Sequence, residues 1–370
     1  MSRMCTACFL VPPLVLTRLA ANHPDPAVRA SATKTLAYDR EIRTARVNAQ
    51  QLAASHPTGT SATNAPKPSA PESFSTPRFT PQRTIYNAHH RNDLRATEQL
   101  RNEDGIAATD PSANAAYDTL GIAFNYFDQI HGRNSLDGLG APLIGIIHYA
   151  ENYANAFWDG NGHMIFGDGD NLIIRTDTLV SAIDVVAHEL THAITQSTYQ
   201  LNYTAQAGAL NEHISDVFGT LTRQRHHGIA ANEDHWLIGH DVVGTALAFP
   251  DGRPSALRSM LNPGTANPYD QQPNHMTTYY RGTADHRGVH ENSGIPNRAF
   301  ATAAIEIGGN TWETLGPVWY RALTTNRRPS ARFTTFANDT IHASQQLNGP
   351  NHPITLAIHK ACTIVGIHKP

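Results

Sequence analysis

Cysteine is scarce: three residues in 370, an odd number too small for a disulfide framework. Charge is sparse as well. The 28 Lys and Arg and 31 Asp and Glu make up 16 % of the chain, which excludes a largely disordered or supercharged polymer. A net charge of −3 and a pI near 6.7 lack the basic excess of a nucleic-acid binder, so no nucleic-acid partner is expected. No apolar run approaches the roughly 18 residues of a membrane span, and none is expected. Glutamate numbers only 11, whereas histidine numbers 21. Such an excess can be surface decoration, so position has to decide. With 40 % apolar residues the chain can build a core, and its length suits one large or two coupled domains.

The apolar stretch Phe9 to Leu16 behind Arg3 resembles a short signal-peptide core, but Pro12-Pro13 breaks its middle and Ala20-Ala21-Asn22 makes a weak cleavage site. No clear signal peptide is therefore expected, which leaves a protein exported by a non-classical route or a cytoplasmic precursor. Residues 25–54 read as a helix, with Val28, Leu36, Ile42, Val47 and Leu52 among Ala, Arg and Lys; Asp25 can cap it and Pro26 suits its first turn. From His56 to Pro81 the composition shifts. Pro57, Pro66, Pro68, Pro71, Pro77 and Pro81 alternate with Ser, Thr, Ala and Asn, a linker that buries little and is open to proteolysis. Beyond it, Leu143–Tyr149 and Met164–Phe166 read as strands, separated from the linker by a helix over Ser112–His131. Helical patterns then dominate at 181–197, 208–226, 292–308, 311–325 and 333–346. The expected fold is α+β, a β-rich N-terminal part followed by a mainly helical one.

The segment Val185-Val186-Ala187-His188-Glu189-Leu190-Thr191-His192-Ala193-Ile194 contains His-Glu-x-x-His. Residues four apart on a helix lie on one face, roughly 6 Å apart along the axis, so His188 and His192 can present both imidazoles to one tetrahedral zinc. Glu189 beside them can take a proton from water. A chain of this composition yields about 0.04 such matches by chance. The plain alternative is a helix with two exposed histidines. Ile183, Val185, Val186, Leu190 and Ile194 speak against it, because they bury the helix, and buried imidazoles and carboxylates need partners. Catalytic zinc usually takes three protein ligands and keeps one open position. Glu212, which follows His192 after nineteen intervening residues, is the candidate for the third, on a second helix antiparallel to the first. Asp216, one turn further on the same face, can accept the spare N–H of a zinc-bound histidine. Leu210, Ile214, Val217 and Phe218 make that helix too apolar for a merely solvated acidic face.

At this point the chain resembles the thermolysin-like zinc metallopeptidases. His188-Glu189-x-x-His192 and Asn211-Glu212-x-x-x-Asp216 carry the likeness, joined by Asn155-Ala156-Phe157-Trp158, Gly167-Asp168-Gly169-Asp170, Leu257-Arg258-Ser259-Met260 and Gly288-Val289-His290-Glu291-Asn292-Ser293-Gly294. The resemblance spans about residues 84–370. It implies a β-rich N-terminal subdomain over 76–197 ending in the zinc helix, a helical C-terminal subdomain over 198–370, and an active-site cleft between them. It implies a neutral metalloendopeptidase that hydrolyses peptide bonds through a zinc-activated water, cutting before a hydrophobic residue. His188, His192 and Glu212 would hold the zinc, with Asn211 and Asp216 supporting them and Glu189 as base. His290, oriented by Asp285, and Tyr203 would stabilise the oxyanion; Asn155, Ala156 and Arg258 would hold the substrate backbone. Taken singly, Tyr203 could as well be a core tyrosine and Arg258 a solvated cation.

The family's double calcium site draws on a carboxylate cluster, of which Asp184 remains. Arg223, His235, Leu237 and His240 stand in the rest of it, and they cannot offer the hard oxygens calcium needs, so this site is expected to be absent. The N-terminus resembles the short propeptides of the protealysin-type branch. That implies a zymogen in which residues 1–75 are an intramolecular inhibitor, with Cys5 or Cys8 and Pro12-Pro13 at the site; a thiolate could take the open zinc position, or both cysteines could simply pack as small apolar groups. The rival readings are a zinc aminopeptidase, whose Gly-x-Met-Glu-Asn segment is missing here, and a catalytically silent zinc-binding protein, which would need neither Glu189 nor His290.

Overall fold

The computed structural model describes residues 8–55 and 77–369. Cys5 and most of the Pro-rich linker lie outside the described residues. The chain enters as a two-residue strand, β1 (Cys8–Phe9), and continues into α1 (Pro13–Asn22) and α2 (Pro26–Ser55). Proline at the first helical position costs α1 no hydrogen bond, since that N–H has no partner in any helix. Asp25 starts α2 as expected, its carboxylate accepting from Ala27 N–H at 2.8 Å.

After the linker come β2 (Arg83–Asn87), β3 (Glu98–Asn102), α3 (Pro111–His131), β4 (Leu143–Ile147), β5 (Ala156–Trp158) and β6 (His163–Phe166). Asp110 caps α3 by accepting from Ser112 and Ala113, and Gly132, at φ 60°, ends it in the left-handed cap that glycine adopts without strain. The strands form one six-stranded sheet in the order β1-β5-β6-β4-β2-β3. Strands β2, β4 and β6 are parallel to their neighbours in that run; β3, β5 and β1 join antiparallel. β4 and β6 lie where the sequence predicts strands. No strand is predicted at β3, whose residues are exposed or half-buried throughout and show no apolar alternation.

Two long helices follow, α4 (Ile183–Ser197) and α5 (Ala205–His227), the zinc-motif helix and its antiparallel neighbour. Val185, Val186, Leu190 and Ile194 of α4 are buried; at about 1.5–3 kcal/mol for each large apolar side chain, this face alone fixes the helix in the core. The two helices pack closely because Gly219 has no side chain: a Cβ there would stand 2.6 Å from Asp184 O. The remainder comprises a short ribbon of β7 (Leu237–Ile238) and β8 (Arg258–Ser259), then α6 (Ala284–Asn292), α7 (Gly294–Ile307), α8 (Thr311–Thr314), α9 (Gly316–Thr325), α10 (Phe333–Asn348) and α11 (Pro353–Ile364). The helix expected over 311–325 is two, since Pro317 lacks the N–H that would carry α8 onward. The pattern expected over 292–308 begins at Gly294, after the separate α6. Among the described residues no helix is long and apolar enough to cross a membrane.

Candidate active site

One turn of α4 and one turn of α5 bring His188, His192 and Glu212 together, all fully buried or nearly so. The Nε2 atoms of the two histidines face each other at 3.0 Å; Glu212 Oε2 lies 3.5 Å from His188 Nε2, and Glu212 Oε1 lies 3.7 Å from His192 Nε2. Ligand atoms held about 2.0–2.1 Å from a tetrahedral zinc are about 3.3 Å apart, so these three separations bracket what the ion requires. The donor chemistry agrees. His188 Nδ1–H donates to Asp216 at 2.9 Å and His192 Nδ1–H to Asn211 Oδ1 at 2.8 Å, which turns both Nε2 lone pairs toward the shared point. Glu212 Oε2 is buried with no hydrogen-bond partner. The residues present therefore fit a zinc ion.

Electrostatics point the same way. Without a metal, burial pushes the His192 imidazole down to about 3. Burial also opposes charge on His188, but Asp216 and Glu212 outweigh it and raise His188 to about 9. One proton on His188 thus relieves the contact between the two nitrogens, in the place where a cation would. Despite burial, the surrounding imidazoles hold the Glu212 carboxyl far below the usual range, and Arg258 does the same for Asp216. Glu189 is different: burial lifts it to about 8, and neither of its oxygens has a well-formed partner. A buried carboxyl poised near neutrality beside a metal-ligand cluster suits a proton carrier.

Asp285 and His290 come from a backbone that no helix pattern foretells. Asp285, His286, Arg287 and Gly288 all have φ between 48° and 74°, a left-handed turn that leads into one right-handed turn at His290. For three non-glycine residues this conformation is costly. It folds Asp285 back under His290, whose backbone N–H and Nδ1–H donate to the two carboxylate oxygens at 2.8 and 2.7 Å. Burial works against the charge, but Asp285 and Glu212 raise His290 to about 9. With both ring nitrogens donating, it is an imidazolium aimed into the cleft. Tyr203 is there too, its hydroxyl donating to Glu212 Oε1 and lying 3.2 Å from His290 Nε2.

Arg258 joins the site through Asp216, with three contacts of 2.7 to 3.0 Å. Asn155 and Ala156 line the open edge of β5, and that edge is taken by the chain's own N-terminus: Cys8 pairs with Trp158 and Phe9 with Phe157. The Cys8 sulfur and ligand atoms of His192 and Glu212 lie within 4.8 Å of one another. Cys8 is disulfide-bonded. Pro12 and Pro13 carry the chain out of the cleft into α1. Three further groups at the site are not foretold by the sequence. Ser215 Oγ lies 3.1 Å from His192 Nδ1, and Asn297 donates to Asp216 at 2.8 Å. Asp39 of α2, buried, accepts from Tyr153 at 2.7 Å beside Asn155. Asn297 and Ser215 sit close to motif residues in sequence; Asp39 has no such signal. The Gly-Asp-Gly-Asp segment is architectural: Asp168 pairs with His148 at 2.7 Å, and Asp170 accepts three successive N–H groups from Leu172, Ile173 and Ile174.

Two imidazoles and a carboxylate converging beside an unpartnered glutamate, in a cleft whose edge strand already pairs with a peptide, make a peptide-cutting metalloenzyme. Comparison with known proteins agrees. Residues 72–196 match the thermolysin metallopeptidase catalytic domain and residues 199–367 its alpha-helical domain. The extracellular metalloprotease of Pectobacterium carotovorum subsp. carotovorum is 38 % identical over 97 % of this chain and 96 % of its own. Thermolysin of Alicyclobacillus acidocaldarius is 34 % identical over 71 % of this chain and 46 % of its own. Among solved structures, the precursor of protealysin, a metalloproteinase from Serratia proteamaculans, superposes with a TM-score of 0.78 at 37 % identity, covering 98 % of this chain and all of that one. The chain belongs to the thermolysin family of zinc-dependent metallopeptidases.

Proposed function

We propose that this is a neutral zinc endopeptidase made as a zymogen, with residues 1–75 as an inhibitory propeptide and linker, 76–197 and 198–370 as the two catalytic subdomains, and protein or peptide substrates. The observation that carries the reading is the convergence of His188, His192 and Glu212 with Glu189 alongside. A zinc ion held by those three would lower the pKa of a water and polarise the substrate carbonyl. Glu189 takes a proton from the attacking water and passes it to the leaving amine. His290, fixed by Asp285, and Tyr203 donate to the carbonyl oxygen as it gains negative charge. Asn155, Ala156 and Arg258 hold the substrate backbone as an added strand. Asn211 and Asp216 fix the tautomers of the ligand histidines.

The propeptide blocks the cleft through β1, with Pro12-Pro13 directing the chain out of it and Cys8 at the metal corner; in reduced form that sulfur would be a zinc ligand. The double calcium site of the family is replaced by a salt bridge: Arg223 binds Asp234 at 2.8 Å, with His235 against them, while Asp184 is engaged by the N–H groups of Val185 and Gly239. A fluorogenic peptide assay on linker-cut protein tests the function. Hydrolysis abolished by a chelator and restored by zinc is expected; chelator-resistant hydrolysis, or none, contradicts the reading.

A further inference from the structure

The N-terminal segment does more than fill space. Phe9 O accepts from His290 Nε2 at 2.7 Å. Leu10 N–H donates to Ala156 O at 3.0 Å, and Leu10 O accepts from Arg258 Nη1 at 2.9 Å. Val11 N–H donates to Asn155 Oδ1 at 2.8 Å. Four successive backbone groups thus meet the four groups assigned above to a substrate. Direction is fixed by this chemistry: His290 and Arg258 are donors, and a reversed chain would not present its carbonyls in the same order to them. Register is fixed as well. A slip that put Pro12 in the place of Val11 would leave Asn155 Oδ1 facing a residue with no N–H, and would turn the fully buried Phe9 and Leu10 side chains to the opposite faces.

We infer that the Phe9–Leu10 peptide bond is itself a cleavage site of this enzyme, held between Glu189 and His290 as a substrate bond is held, and that the sulfur of Cys8 protects it by standing where the attacking water must enter. The inference rests on the metallopeptidase reading. The sulfur is fully buried within the group it forms with His192 and Glu212, and a thiol or disulfide sulfur alike excludes water from that corner. Removing it admits the water. Glu189 accepts one of its protons as the oxygen adds to the Phe9 carbonyl carbon, the C–N bond breaks, and the Leu10 nitrogen takes the proton. The second water proton passes from the new carboxyl to the same nitrogen, so the products are a Phe9 carboxylate and a Leu10 ammonium, and water is the only reactant consumed.

The test uses the full-length, zinc-loaded chain bearing Cys8→Ala, followed by intact mass and N-terminal sequencing. The expected result is loss of residues 1–9 and a new N-terminus at Leu10, at least tenfold faster than in the parent and at a rate independent of protein concentration. A Cys8→Ala chain that keeps residues 1–9, or is cut at another bond between residues 8 and 13, overturns the inference if the same sample, once cut at the linker, hydrolyses a fluorogenic peptide. If the linker-cut sample hydrolyses nothing, the metallopeptidase reading falls and this inference with it. Amide hydrogen exchange in the full-length Glu189→Gln chain tests the register without any turnover. Leu10 and Val11 amides should both be protected, and adding Asn155→Ala should speed exchange at Val11 at least tenfold while leaving Leu10 slow. Fast exchange at both sites before that second change also overturns the proposal.

Discussion

His188, His192 and Glu212 stand on two right-handed helices whose burial and packing follow ordinary rules, whereas Asp285 and His290 hang on a turn in which four successive residues are left-handed. The first region is shaped to present lone pairs to a cation. The second is shaped to present a proton to an oxygen, and its imidazolium is locked to a carboxylate on one side and donates to the Phe9 carbonyl in the cleft on the other. Under the proposed roles, the difference teaches that one region serves affinity and the other rate. Helical spacing places ligands at no conformational cost, while the donor is placed by a strained turn that only the surrounding packing can hold.

Substitutions that separate binding from rate sharpen this contrast. The largest effect is expected from Glu189→Gln, which should lower kcat/KM by about 10³-fold while leaving zinc stoichiometry and thermal stability intact. Steady-state kinetics with parallel metal analysis checks it; loss of the metal together with the rate would place Glu189 among the ligands instead. His290→Ala comes next, with about a 10²-fold fall in kcat and no change in zinc content. If that variant loses zinc, the two regions are not separable in the way described.

Propeptide docking gives the third effect. Burial raises Asp39 to about 7, against the opposing pull of Tyr153, Arg43, Asn155 and, further off, His290. Its bound form is therefore the protonated one. Docking is strongest below about pH 4, weakens by up to tenfold per pH unit as the pH climbs, and levels off above about 7. The amount of propeptide still bound to linker-cut enzyme, measured by size-exclusion chromatography from pH 5 to 8, should fall along this curve, and Asp39→Asn should flatten it. A slope that survives in Asp39→Asn assigns the effect to another group. The smallest effect is Gly288→Ala. Its φ is 74°, and a Cβ would meet the Tyr280 ring at 2.4 Å, so about 1–2 kcal/mol of stability should be lost in thermal unfolding. An unchanged Tm would mean that the left-handed turn is not held as described.

The legibility of the sequence divides along the same line. Helices α4 and α5 could be read because helical periodicity and residue spacing are local: three residues between the imidazoles, nineteen before the next carboxylate, three more before Asp216. The edge at Asn155 and Ala156 was reachable only through resemblance, since three residues carry too little periodicity to declare a strand. The left-handed turn at Asp285 was not legible in residue types at all, because Asp, His and Arg favour no such conformation on their own and the tertiary packing imposes it. The pairing of Asp39 with Tyr153 joins residues 114 positions apart and depends on α2 lying across the cleft. The register of Phe9 and Leu10 was hidden for the same reason: it is set by His290, Arg258 and Asn155, none of which is near them in the chain.

X-ray absorption at the zinc edge of the linker-cut enzyme, with elemental analysis of the same sample, bears most directly on the central claim. One zinc per chain is predicted, in an all nitrogen-and-oxygen environment that includes two imidazoles, and His188→Ala should abolish it. A sample that carries no stoichiometric zinc, or whose zinc survives His188→Ala unchanged, would contradict it.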